Sequence, residues 1–458
     1  MTETVRLDGE YLALEHVSAV ARRQARAEWP EPARPKVEAA RRGIEARIHD
    51  INPTYGVTTG FGLLSKVRID PAQLDQLQAN LIRSHACGTG QPLSPEETRA
   101  ALLIRANVLA KGFSGVRPVI IDTLLQMLDR GVLPLIPEKG SVGASGDLAP
   151  SAHLALVLMG EVKALYQERV MPGGEAWAAA GIPVLEYKAK EGLAVLNGTQ
   201  VMSALGCLLA VEVEDLLRLG SLIAALSIDV LEGTNSAFDA RIHRARPHPG
   251  QARVAAEIDR MMAGSQVRES HRGCDRVQDA YSLRCIPQVH GAVWDTLDHV
   301  RAVLEREINS ATDNPLVFSA EGEVVSGGNF HGEPVAFALD FLAIAAAELA
   351  GISERRIERL INPDLSGLPA FLTPEPGLTA GYMIAHLTAG ALGGENKILA
   401  HPASVDSLPT SANKEDHVSM GMTAALKLRQ IVANVRTVLA IELLLCCQGL
   451  EFRPPLRP

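Results

Sequence analysis

Val293-Trp294-Asp295-Thr296-Leu297-Asp298-His299-Val300-Arg301-Ala302-Val303-Leu304-Glu305-Arg306-Glu307-Ile308 sets the fold class. Its apolar residues Val293, Leu297, Val300, Leu304 and Ile308 recur at steps of three and four. That spacing lines up one stripe of an α-helix, whereas strand side chains alternate with a period of two. Similar runs cover about 199–232, 334–361 and 418–450, each well beyond the roughly 11-residue average helix. Helices of such length gain most of their stability by packing side by side, which predicts a bundle over 199–458. Ahead of it, residues 1–198 alternate helical stretches with loops rich in Gly, Pro and Thr at 52–62, 84–95, 112–118, 134–151 and 171–174. Strand signals are sparse; the best is a hairpin with Leu316-Val317-Phe318 and Glu323-Val324-Val325 flanking Glu321-Gly322. The expected fold is mainly α: a long central helix bundle behind a mixed, loop-rich N-terminal part.

Composition excludes several classes of function. The chain has 458 residues, 47% hydrophobic and 21% charged, the balance of a folded globular protein. Acidic residues outnumber basic ones 53 to 44, for a net charge of −9, and no dense Lys/Arg run offers a track for a phosphate backbone. Nucleic acid is therefore not an expected partner. Met1-Thr2-Glu3-Thr4 leads into no apolar run of the kind a signal peptide needs, so a cytoplasmic location is expected. The most apolar segments, near 201–232 and 334–352, are interrupted by Glu212, Glu214, Asp215, Asp340 and Glu348 and read as buried helices rather than membrane spans. The 6 cysteines, Cys87, Cys207, Cys274, Cys285, Cys446 and Cys447, lack CxxC spacing and read as reduced thiols. Long amphipathic helices commonly bury their remaining apolar faces against other subunits, so a homo-oligomer is expected.

The chemistry-bearing stretches are mostly in the N-terminal part. Gly140-Ser141-Val142-Gly143-Ala144-Ser145-Gly146-Asp147-Leu148-Ala149-Pro150 is the densest cluster of small residues. It fails as a phosphate loop, having no Lys-Ser/Thr after its last glycine, and as a nucleophile elbow, lacking G-x-S-x-G; on spacing alone a structural turn is as good a reading. Tyr55-Gly56-Val57-Thr58-Thr59-Gly60-Phe61-Gly62 puts a phenol on a glycine-rich loop, either a lid or a tight turn. His331-Gly332-Glu333-Pro334 imitates the H-x-E opening of a zinc deaminase, but no P-C-x-x-C follows it. Ser411-Ala412-Asn413-Lys414 matches S-x-x-K without the companion motifs of serine acyl-enzymes. The 13 histidines show no compact ligand spacing, so no metal is expected.

Taken together, YGVTTGFG (55–62), NLIRSHACGTG (80–90), GSVGASGDLAP (140–150), NGTQ (197–200), QDAYSLRCIPQ (278–288), DNP (313–315), SGGNFHGEP (326–334) and ENKILAHPASVDSLPTSANKEDHVSM (395–420) resemble the aromatic amino acid ammonia-lyase family, in family order over nearly the whole chain. The resemblance implies a bundle of the fumarase/aspartase-like type. It also implies that Ala144, Ser145 and Gly146 cyclise: the glycine nitrogen attacks the alanine carbonyl and two waters leave, giving a methylidene-imidazolone (MIO). The chemistry requires such a group, because expelling an α-amino group while removing a poorly acidic β-proton demands an electron sink that no standard side chain provides. By the same resemblance Arg284 clamps the substrate carboxylate, and Tyr55 is the favoured β-proton base. Asn197 and Tyr281 line and support the prosthetic ring, Gln278 is a polar residue of the site, and Phe330 packs beside the electrophile. A homotetramer with each active site shared by three subunits is likewise implied.

By the same resemblance, substrate choice rests on two positions. Ser84-His85 is the histidine-type pair, where phenylalanine and tyrosine members carry Phe-Leu or His-Leu, and Glu395 stands where phenylalanine members carry Gln. A buried carboxylate can accept an imidazole N–H, whereas a phenyl ring would leave it desolvated and unpaired. The expected reaction is L-histidine to trans-urocanate and ammonia, the first step of histidine degradation. The alternatives are a tyrosine or phenylalanine lyase, an aminomutase, or a non-catalytic relative that only binds amino acids. Departures from the family pattern are Ala280, Ile286 and His290, and the absence of the C-terminal helical extension expected of typical relatives.

Overall fold

The computed structural model describes residues 3–274, 277–453, 456 and 458. The opening stripe lies on the helix Ile286–Ile308, and Val293, Leu297, Val300, Leu304 and Ile308 are all buried. Each such side chain withdrawn from water contributes about 1.5–3 kcal/mol before entropy is counted. The other long runs form the helices Gln200–Val230, Glu333–Ile361 and Gly421–Leu450. The fold is mainly α, as the periodicity predicts. Strands are short; the hairpin pairs Leu316–Phe318 with Glu323–Val325, Val317 opposite Val324.

Packing divides the chain into two units, each assembled from distant segments. The first is Met1–Leu208, Arg301–Leu339 and Ala403–Leu426; the second is Leu209–Val300, Asp340–Pro402 and Lys427–Pro458.

At the centre of the first unit is the helix Pro95–Ala110. It starts sharply because Ser94 Oγ accepts the Glu97 N–H at 3.2 Å while the Glu97 carboxylate accepts the Ser94 N–H at 2.7 Å, with Pro95 preset for the first turn. Every residue from Glu97 to Ala110 is buried, so its arginines must find partners inside. Arg99 donates to the Val20, Ala21 and Leu128 carbonyls, near the ends of the helices Leu14–Ala21 and Pro118–Arg130. Arg105 does the same for the helix Glu191–Leu196, donating to the Ala194 carbonyl and, at 2.6 Å, to the Asn197 carbonyl. Helix C-termini carry partial negative charge, so a guanidinium there replaces water. Burial pulls the pKa of Arg105 down to about 10, which leaves it charged at neutral pH. Its consequence for the site is a fixed Asn197-Gly198 turn.

In the second unit the bundle core holds a buried polar cluster around Glu442. Glu442, fully buried, accepts from Arg356 Nε at 2.5 Å and Nη2 at 2.9 Å, from Ser227 Oγ at 2.6 Å and from Ser353 Oγ at 2.5 Å. The helices Glu333–Ile361 and Gly421–Leu450 are long and apolar enough to cross a membrane by length and composition alone, with 61% and 50% of their most apolar windows buried. They also carry the buried Arg356–Glu442 pair and the Asp340–Lys427 pair at 2.9 Å, a pattern of helices packed on one another.

Candidate active site

The site is built on the small-residue loop. Ser145 adopts φ +54° and Gly146 φ +78°, with the Gly146 N–H donating back to the Gly143 carbonyl at 3.3 Å. A non-glycine residue in left-handed backbone costs of order 1 kcal/mol and is kept only where surroundings impose it. Here the surroundings are the 197–198 turn: the Gly198 N–H donates to Ser145 O at 3.2 Å and the Asp147 N–H to Gly198 O at 2.8 Å. A Cβ on Gly146 would lie 2.1 Å from Gly198 O, and one on Gly198 would lie 2.1 Å from Thr312 O. Glycine is therefore required at both positions for room as well as for φ. The cradle leaves no room for a side chain at 146, which fits a cyclised tripeptide whose third residue is glycine.

Beside Ser145 opens a cavity of about 540 Å³, within the first unit, whose walls include Tyr55, Phe61, Leu81, His85, Asn197, Ser411 and Glu415. His85 ends the helix Leu74–His85, and its Nδ1 lies 2.8 Å from the Leu81 carbonyl. A carbonyl only accepts, so Nδ1 carries the proton, which in the neutral ring leaves the lone pair on Nε2. Asn197 is oriented in the same manner: Nδ2 donates to Asn314 O at 2.8 Å and to Asp313 Oδ1 at 3.4 Å, leaving Oδ1 for the cavity. Asp313 in turn takes a 2.6 Å bond from Lys190 Nζ, both side chains fully buried. Tyr55 OH accepts the Gly62 N–H at 3.4 Å, and its ring meets Phe61 edge-on at 6.4 Å. Burial, chiefly, raises the Tyr55 pKa, the Gly62 hydrogen bond opposes this, and the Glu415 charge adds to the rise. Within this unit the phenol is neutral.

Glu415 is the cavity's carboxylate, and the sequence reading passed over it. It follows three successive residues in left-handed backbone, Ser411 (φ +50°), Ala412 (φ +53°) and Asn413 (φ +66°), a turn closed by Thr410 N–H to Glu415 O at 2.8 Å. Thr410 Oγ1 donates to Glu415 Oε2 at 2.8 Å. Glu395, the residue singled out from the same block, is exposed on the helix Met383–Leu399 in the second unit, where its Oε2 accepts from Asn434 Nδ2 at 2.7 Å. Nothing local separates the two glutamates in sequence; the strained turn does so in three dimensions.

The other expected residues are distributed as follows. Phe330 is half-buried in the turn ahead of the helix Glu333–Ile361. Gln278, Tyr281 and Arg284 belong to the second unit. There Tyr281 is 71% exposed, Gln278 is exposed, and the Arg284 guanidinium lies 4.5 Å from the Tyr281 ring centroid. Arg284 Nε is buried without a hydrogen-bond partner among the described residues.

Asp147, directly after the tripeptide, is fully buried, with Oδ2 accepting the Val201 and Met202 N–H groups at 2.9 and 2.8 Å. Burial raises its pKa to about 7 against the opposing effect of those hydrogen bonds. The folded state thus binds a proton that the unfolded state has released, so this contribution is full below about pH 4 and is lost as pH rises to about 7, at most about 4 kcal/mol. Asp147→Asn keeps the acceptor and removes the titration. Between about pH 5 and 8 the stability of the variant relative to the parent is expected to rise, read from urea midpoints; a constant difference would contradict the assignment.

A cavity that gathers an oriented imidazole, a phenol, a carboxylate and a strained turn of small residues is that of a catalyst: the chain is an enzyme. Its relatives specify the class. Residues 12–458 match the family described as aromatic amino acid lyase. The chain is 56% identical to the histidine ammonia-lyase of Koribacter versatilis (strain Ellin345), covering 99% of this chain and 91% of that one. Among solved structures it is similar to histidine ammonia-lyase from Trypanosoma cruzi, with TM-score 0.91 and 46% identity over 99% of this chain and 86% of that chain. It is also similar to tyrosine aminomutase from Streptomyces globisporus, with TM-score 0.94 and 40% identity over 99% and 90%. The chain belongs to the aromatic amino acid lyase family.

Proposed function

We propose that this enzyme is a histidine ammonia-lyase that converts L-histidine to trans-urocanate and ammonia, using a methylidene-imidazolone formed by Ala144, Ser145 and Gly146. The observation that carries the reading is the convergence of His85 and Glu415 on the cavity beside Ser145. Family membership, with 56% identity to a histidine ammonia-lyase over nearly the full chain, supports it.

The turn supplies the conformation for cyclisation: the chain reverses at Ser145, and no side chain at 146 obstructs attack of that nitrogen on the Ala144 carbonyl. When formed, the ring provides an electron-poor exocyclic carbon. The chain's own residues do the rest. The Glu415 carboxylate accepts one N–H of the substrate's imidazolium and His85 Nε2 accepts the other, so an imidazolium satisfies groups that a phenyl ring would leave desolvated. Asn197 Oδ1, fixed through Asp313, holds the wall next to the electrophile. Tyr55 takes the β-proton; its raised pKa means that it acts only when a cation, the substrate ammonium or Arg284, faces it.

Arg284, with its unpaired Nε, and the exposed Tyr281 and Gln278 complete a site in an assembly of several copies, a homotetramer with shared active sites. Arg284 pairs with the substrate carboxylate there. The place of action is the cytoplasm, without membrane or nucleic acid.

The test is ultraviolet detection of urocanate on adding L-histidine, with L-tyrosine and L-phenylalanine in parallel and chromatography for β-amino acids. Urocanate from histidine, with phenylalanine poorer by roughly 10⁴-fold, is expected. Cinnamate or coumarate as the main product, or a β-amino acid, would show the lyase or aminomutase alternative. Glu415→Gln is expected to lower kcat/KM for histidine by about a hundredfold or more, with a far smaller change for phenylalanine; equal losses on both would remove Glu415 from substrate recognition.

A further inference from the structure

Away from the residues that recognise substrate, three metal-ligating side chains meet in the first unit. His331 and Glu333 lie at the start of the helix Glu333–Ile361, and His417 comes from the segment just ahead of the helix Gly421–Leu450. Their donor atoms all lie within 4.8 Å of one another. Glu333 Oε2 is 4.0 Å from His331 Nδ1 and 3.9 Å from His417 Nε2. The two imidazoles are stacked, centroids 5.7 Å apart and planes within 8°.

Two observations separate this trio from a chance surface cluster. Glu333 Oε2 is buried without a hydrogen-bond partner among the described residues; a carboxylate oxygen in that state has lost water and gained no hydrogen bond in exchange. His331 Nδ1 takes the Glu333 N–H at 3.3 Å, a long contact that a stronger partner would displace.

The geometry points to a divalent metal site formed by His331, Glu333 and His417, with a fourth position for water. Two imidazoles and one carboxylate form a donor set that suits Zn²⁺ or Co²⁺. Tetrahedral bonds of about 2.0–2.1 Å set donors about 3.4 Å apart, so each measured carboxylate–imidazole gap must close by roughly half an ångström. His417, 67% exposed, has the freedom to move. Compact spacing cannot reveal this site because its third ligand comes from a distant segment, so the H-x-E motif without following cysteines carries no metal signal in sequence.

The ion's place in the fold gives it a role. His417 stands two residues after Glu415 and three before Met420, whose N–H donates to Val142 O at 3.0 Å in the electrophile loop. A metal on His417 therefore ties the segment carrying the cavity carboxylate to the first turn of the 333–361 helix. It acts by positioning Glu415 and does not touch the substrate.

Co²⁺ titrated into metal-free full-length enzyme tests the site through its visible absorption, with Zn²⁺ as competitor. The expected result is a saturable band at one Co²⁺ per chain, displaced by Zn²⁺, with affinity lowered about tenfold or more in both Glu333→Gln and His417→Ala. Circular dichroism checks that each variant is folded, and the first is nearly isosteric. Absence of saturable binding, or binding that both folded variants retain undiminished, overturns the site. The readout needs no substrate, so it stands or falls separately from the proposed reaction.

Discussion

Ser145→Ala is expected to abolish turnover, by about 10³-fold or more in kcat, while leaving the circular dichroism spectrum and the unfolding midpoint close to those of the parent. The reason is chemical rather than structural. Alanine lacks the hydroxyl whose loss as water creates the exocyclic carbon, so cyclisation could at most give a ring without the electron sink. The backbone should survive, because what holds Ser145 at φ +54° is the hydrogen bond from Gly198 N–H to its carbonyl and the contacts around Gly146, not its side chain. Full activity in this variant would contradict the mechanism. Loss of activity together with loss of fold would instead assign Ser145 a structural role.

The second large effect concerns stability. Lys190 and Asp313 form a 2.6 Å ion pair with both side chains fully buried. Burial lowers the Lys190 pKa, and Asp313 opposes that fall by charge and hydrogen bonding. Lys190→Met leaves the carboxylate buried and unpaired, a change expected to cost about 3–5 kcal/mol. The pair also anchors the site: Asp313 Oδ1 receives Asn197 Nδ2 at 3.4 Å and the Asn314 N–H at 2.7 Å. The variant should therefore lose kcat along with stability. Lys190→Met combined with Asp313→Asn should recover at least half of the lost stability, since no charge is then stranded. Urea midpoints of the two single variants and the double variant measure this; a loss below about 1 kcal/mol in Lys190→Met would show the aspartate to be satisfied by other means.

The helices were legible because burial imposes a period. Val293 to Ile308 could be assigned to a helix from spacing alone, and the turn at Glu321-Gly322 disclosed its hairpin. The two packing units were not, because they combine segments far apart in the chain, and no local pattern records which distant helix covers a given stripe. The site was partly legible for a related reason. Ser145, Tyr55, His85 and Asn197 sit in stretches whose composition is unusual, and the structure gathers all four at one cavity. Glu415 was missed because a glutamate in a mixed polar run carries no mark in sequence; it is singled out only by the left-handed turn of Ser411, Ala412 and Asn413 that turns it inward. The support from Arg105 and Lys190 was equally hidden, since a lone cation in a helical run usually reads as a solvated charge. For Gln278, Tyr281 and Arg284 the described chain shows an exposed aromatic and an unpaired guanidinium nitrogen, features that acquire meaning only when further copies are considered.

The central claim is that a tripeptide of this chain turns its own backbone into an electrophile. Mass spectrometry of the proteolytic peptide spanning Ala144-Ser145-Gly146, taken from active enzyme, tests it most directly. The account predicts a peptide lighter than its sequence by two molecules of water, restored to the full sequence mass less one water or none in Ser145→Ala. A peptide from active enzyme that retains both waters would contradict it.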